Sequence, residues 1–121
     1  MTSEPPAHDS GDDSPAVQWH FACNLSQLEN SGCEVLVDQH VIALFKTELG
    51  IFAVDGMCAH QGGPLAKGRV DGTCVTCPWH GWQYNVTNGN NLLSGRKMLT
   101  TFETAQRDSE IWVAIPVASQ G

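Results

Sequence analysis

The chain has 121 residues, which fits one domain. Charged residues make up 16%, against roughly 25% in an average globular domain, and hydrophobic residues make up 41%, enough for one modest core. Thirteen acids against six bases give a net charge of −7, which argues against nucleic-acid binding, where phosphate neutralisation by basic side chains supplies most of the affinity.

Residues 1–15 hold four acids (Glu4, Asp9, Asp12, Asp13), no base and almost nothing apolar. Such a stretch buries too little surface to offset the entropy of ordering, so it is expected to be a disordered acidic tail ahead of a single domain over residues 16–121. It lacks the basic and apolar regions of a secretory signal, and no run in the chain approaches the ~20 apolar residues of a membrane span. A soluble, cytoplasmic protein without membrane contact is expected.

From Val17 onward the hydrophobic period is two, with Val17, Trp19 and Phe21 alternating with polar or small residues. One helical turn is expected near Asn24–Leu28. Strands are predicted over Glu34–Val37 and Val41–Phe45, joined as a hairpin through Asp38-Gln39-His40, and then over Ile51–Val54, Thr73–Thr76, Trp82–Val86, Met98–Thr104 and Glu110–Ile115. Gly, Asn, Asp and Pro punctuate the gaps, and Asn88-Gly89 is a strong turn signal. Short strands at this spacing predict an all-β fold, a small antiparallel sandwich or barrel.

Two Gly/Pro-rich segments interrupt the strand pattern: Cys58-Ala59-His60-Gln61-Gly62-Gly63-Pro64 and Cys77-Pro78-Trp79-His80-Gly81-Trp82. Together they read C-x-H, sixteen residues, C-x-x-H. Two such loops side by side present two thiolates and two imidazoles to one point. The five cysteines, at 23, 33, 58, 74 and 77, are an odd number that cannot all pair within one chain. Reduced thiols are therefore expected, some of them metal-bound. A zinc site is one reading, because Cys74-Val75-Thr76-Cys77 is itself a C-x-x-C that Cys58 and His60 would complete. Zinc accounts neither for the interval nor for Pro78-Trp79-His80-Gly81-Trp82.

The spacing resembles the Rieske iron–sulfur family. The resemblance covers roughly residues 17–116 and includes both ligand pairs, their interval, the glycine after His80 and the run Gly62–Leu65. It implies an antiparallel β sandwich with a small cluster-binding subdomain of two loops and one [2Fe–2S] cluster per chain. Cys58 and Cys77 would hold one iron, and His60 and His80 the other. An oxidised core of charge about +2 with two thiolates and two neutral imidazoles is nearly neutral, whereas four thiolates leave it near −2. Such centres therefore accept an electron at roughly −150 to +300 mV, against about −400 mV for plant-type ferredoxins.

Respiratory members carry an extra cysteine in each loop and join the two in a disulfide. The matching positions here are Gly63 and Trp79. Where those members have a serine that donates to the cluster, this chain has Trp82, so the match is to soluble ferredoxin-like members. Tyr84 stands where high-potential members have a tyrosine that donates to a ligand sulfur. Trp79, Gly81, Trp82 and Tyr84 are thus expected around the cluster. Met57, Pro64, Leu65, Pro78 and Trp79 are expected to form an apolar apron that excludes water and meets a redox partner. Cys23, Cys33 and Cys74 read as core or surface thiols, and His8, His20 and His40 as solvated or structural. Trp19 and Trp112 read as core, and Lys67/Arg69 and Arg96/Lys97 as solvated basic pairs.

The resemblance implies a one-electron carrier, not catalytic alone, that passes electrons from a flavin reductase to a terminal oxygenase. The alternative is the Rieske-like small subunit of an NAD(P)H nitrite reductase, working against its large subunit. A complete Rieske oxygenase, which needs a further large domain, is not expected of 121 residues.

Overall fold

In the computed structural model, residues 17–29, 32–58, 63–79 and 81–116 are described. The acidic tail, with His8, lies outside them. Among the described residues no helix is long and apolar enough to cross a membrane.

Among the described residues the chain forms ten strands: β1 (Val17–Asn24), β2 (Cys33–Val37), β3 (His40–Thr47), β4 (Gly50–Asp55), β5 (Arg69–Asp71), β6 (Cys74–Thr76), β7 (Gln83–Asn85), β8 (Thr101–Phe102), β9 (Thr104–Arg107) and β10 (Glu110–Pro116). They form three antiparallel sheets in the orders β1-β10-β9, β2-β3-β4-β8 and β5-β6-β7. The helical turn is a single 3₁₀ turn at Leu25–Leu28, entered through a capping box in which Gln27 accepts the Asn24 N–H at 2.8 Å. Between β2 and β3, Asp38 and Gln39 both take positive φ (49° and 71°), the backbone that a two-residue hairpin needs to match strand twist.

Two apolar clusters share the β2-β3-β4-β8 sheet. On one face Val37, Ile42, Leu44, Ala53 and Phe102 pack with Cys23, Ile111, Val113 and Ile115 of the β1-β10-β9 sheet, which makes a two-sheet sandwich. On the opposite face Ala43, Phe45 and Val54 pack against Cys58, Leu65, Val75, Cys77, Tyr84 and Leu99 of the β5-β6-β7 lobe. The uninterrupted apolar run Ile42–Phe45 follows from this: even and odd positions face different cores, so none faces water.

The expected strand Met98–Thr104 is corrected. Residues 98–100 belong to no strand, and β8 covers only Thr101–Phe102. At Glu103 the chain changes sheet, with the Ala114 N–H donating to the Glu103 carbonyl at 3.0 Å, and β9 joins β10. A period-two pattern cannot reveal this, because the alternation continues while the pairing partner changes. β5, too short to show a period, was not expected. Trp112 is buried as expected, with Phe21 edge-on at 6.0 Å, while Trp19 is only half-buried.

Candidate metal centre

Each motif segment begins where a strand delivers the chain to one end of the lobe. After β4, the Cys58 N–H donates to the Gly63 carbonyl at 2.8 Å and Met57 bridges Pro64, which closes the first loop at its stem. After β6, the Cys77 N–H donates to the Trp82 carbonyl at 2.8 Å, and the Gly81 N–H donates back to the Cys77 carbonyl at 3.0 Å. Both cysteines are buried at these stems, in the cluster shared with the central sheet. Gly81 makes the second closure with φ +77°, a left-handed conformation that favours glycine.

Gly63 brings the two loops together. Its carbonyl holds the Cys58 N–H, and a Cβ built on it would lie 2.7 Å from Cys77 Sγ and 3.0 Å from the Trp79 ring. The position expected to lack the respiratory cysteine therefore has no room for any side chain. Tyr84, wholly buried on β7, has its Oη 3.1 Å from Cys58 Sγ, and either atom can donate. With a deprotonated sulfur the phenol donates.

His60 and His80 lie outside the described residues. What is described fits a cluster held by both loops: two buried sulfurs at facing stems, a glycine that keeps Cys77 Sγ clear, and a phenol within hydrogen-bond reach of Cys58 Sγ. Trp82 packs half-buried against the same core, and Trp79 is 56% exposed.

The apron expectation holds only in part. Met57 and Trp79 are exposed, but Leu65 is completely buried in the lobe core, because the 3₁₀ turn Leu65–Lys67 points it inward. Cys74 sits on β6 with its thiol pKa raised by burial and by the Asp71 carboxylate, which opposes thiolate formation there. Cys23 and Cys33 pack together between the sandwich sheets. Burial first, and then the neighbouring Cys33, push the Cys23 thiol up to about 12.

Asn91 escaped the sequence reading. It is the buried polar residue that shapes the segment after β7: its Oδ1 accepts the N–H groups of Leu93 and Ser94, both at 2.9 Å, and its N–H donates to the Arg96 carbonyl. The available signal was the Asn88–Asn91 stretch, rich in side chains that turn the backbone on themselves.

The family model of the Rieske [2Fe–2S] domain matches residues 18–102. Methylxanthine N1-demethylase NdmA of Pseudomonas putida is 28% identical over 113 residues, covering 80% of this chain and 32% of that protein. This chain thus spans about a third of that relative's length. The ferredoxin component of the naphthalene 1,2-dioxygenase system of Pseudomonas putida is 32% identical over 77 residues, covering 63% of this chain and 74% of that protein. A Mycobacterium tuberculosis protein described as the small subunit of an NADH-dependent nitrite reductase superposes with a TM-score of 0.75 at 24% identity, covering 86% of this chain and 99% of its own, a likeness of fold. With the domain model matching most of the body, and with cysteines, glycine and tyrosine disposed around one pair of loops, the chain belongs to the Rieske [2Fe–2S] family.

Proposed function

We propose that the chain is a one-electron carrier that takes electrons from a reductase and delivers them to a terminal oxygenase, in the cytoplasm. Cys58 and Cys77 hold one iron of its cluster, and His60 and His80 the other. The observation that supports this reading is the junction at Gly63, which accepts the Cys58 N–H and lies against Cys77 Sγ, so that the stems of the two motif loops meet. The cluster supplies reversible one-electron chemistry at a nearly neutral site.

The chain's own residues do the rest. The buried stems shield the sulfurs from water, Tyr84 holds a proton toward Cys58 Sγ, and the exposed Trp79 and Met57 put an apolar rim beside the loops. The likeness to a dioxygenase ferredoxin component along three-quarters of its length favours an oxygenase as acceptor. The fold likeness to a nitrite reductase small subunit supports the second reading.

The test is an anaerobic reductive titration with iron analysis, followed by affinity capture from the native host. A carrier takes up one electron per two irons, returns it through repeated cycles, and retains an oxygenase component. Stoichiometric zinc without iron contradicts the cluster, and retention of a sirohaem enzyme instead moves the chain to the second reading.

A further inference from the structure

From Gly56 to Phe102 the chain carries four bases and one acid, Asp71, although the whole sequence has thirteen acids and six bases. Two of those bases, Arg96 and Lys97, border a groove of about 670 Å³ whose other walls include Trp82, Leu93 and Met98. No acidic side chain lines it among the described residues. The groove begins at Gly81, the residue after His80, and so adjoins the second motif loop.

Its rim is built rather than loose. Asn91 and Leu99 are buried at the two ends of the segment, while residues 92–98 are all exposed. Asn91 Oδ1 caps Leu93 and Ser94, the Gly95 N–H donates to the Asn91 carbonyl at 2.8 Å, and Ser94 Oγ accepts the Arg96 N–H at 3.2 Å. These bonds hold Leu93 97% exposed beside Leu92 at 49%. Single exposed leucines are ordinary, but here a fixed loop sets Leu93 and Met98 in one groove with two cations and the Trp82 indole, the make-up of a recognition patch.

We propose that this groove is the docking face for the redox partner, and that it selects a protein surface that is acidic and apolar. The inference rests on the electron-carrier reading and specifies the chemistry of its partner. Leu93 and Met98 supply desolvated contact, and Arg96 and Lys97 supply steering and register, since rim charges act mainly on encounter and partner choice. An acidic partner gains from this face and is repelled by the acidic remainder of the chain, which fixes its orientation toward the motif loops.

The test uses the full chain, cluster-loaded, with fluorescence anisotropy of the labelled peptide acetyl-Glu-Leu-Glu-Glu-Leu-Glu-Glu-Leu-amide and of its counterpart with Lys in place of Glu. The acidic peptide is expected to bind on the order of tenfold more tightly, with the preference fading at high salt. Arg96→Glu with Lys97→Glu inverts the preference, and Leu93→Ser, at a side chain in water, weakens both peptides without changing the unfolding midpoint. Equal binding of the two peptides, or an unchanged preference in the double variant, overturns the proposal. So does binding that appears only once Glu4, Asp9, Asp12 and Asp13 are replaced by amides, which assigns the groove to the chain's own N-terminal segment. Iron and sulfide content, measured on the same samples, reports separately on the electron-carrier reading.

Discussion

The hydroxyl of Tyr84 lies 3.1 Å from Cys58 Sγ, on a completely buried side chain. A donor to a ligand sulfur stabilises the electron-rich reduced state more than the oxidised one, so it raises the midpoint potential. Taking a differential of about 0.5–1.5 kcal/mol, the size of a net hydrogen bond, Tyr84→Phe lowers the midpoint by roughly 20–65 mV with the cluster retained. Redox titration of the two proteins at one pH checks this, and an unchanged midpoint removes the bond from the account. Gly63→Ala places a methyl 2.7 Å from Cys77 Sγ with the Trp79 ring behind it. It is expected to lower iron content severalfold and stability by about 1–3 kcal/mol, read by iron assay and urea unfolding. Cys23 keeps its proton in the folded chain up to about pH 12, but near 9.0 once unfolded. The unfolded state therefore binds fewer protons between those values, and stability falls as pH rises through that window. The thermal midpoint should drop over that range in the wild type and drop less in Cys23→Ala. At this scale Cys58 and Cys77 were legible from the motif spacing, and Tyr84 from the family resemblance that the motif carries. Asn91 was not, because a buried asparagine that turns its own backbone resembles any loop asparagine until its partners are known.

Among the elements, the β2–β3 hairpin shows what local patterning can and cannot convey. Asp38-Gln39-His40 signalled a turn, and the observed two-residue turn places Gln39 at φ 71° without the glycine that such a turn prefers. A non-glycine residue in the left-handed region costs about 1–2 kcal/mol, part of which glycine returns as unfolded-state entropy. Gln39→Gly is thus expected to stabilise the domain by up to about 1 kcal/mol in urea unfolding, and destabilisation would show that the Gln39 side chain contributes more than its backbone strain costs. Strands that read as β-rich apolar runs with a turn at each end, such as β3, β4 and β10, were legible. The β8–β9 junction was not, since the sheet switch at Glu103 is decided by long-range pairing with β4 and β10. Arg69–Asp71 is held by its antiparallel pairing with β6 and is too short to advertise itself.

For the whole molecule, one central sheet buried on both faces lets a sandwich carry the β5-β6-β7 lobe, and the lobe carries the two motif loops. The sandwich was expected, but the second core under the lobe was not, because Ile42–Phe45 reads equally as a strand in any buried sheet. The central claim is that two sulfurs and two imidazoles from Cys58, Cys77, His60 and His80 share one cluster. Its most direct test is pulsed electron–nuclear double resonance on the reduced protein, prepared with ¹⁵N-histidine. The account predicts two strongly coupled ¹⁵N nuclei, with the signal lost in His60→Ala or His80→Ala. A reduced iron–sulfur signal without histidine nitrogen coupling would contradict it.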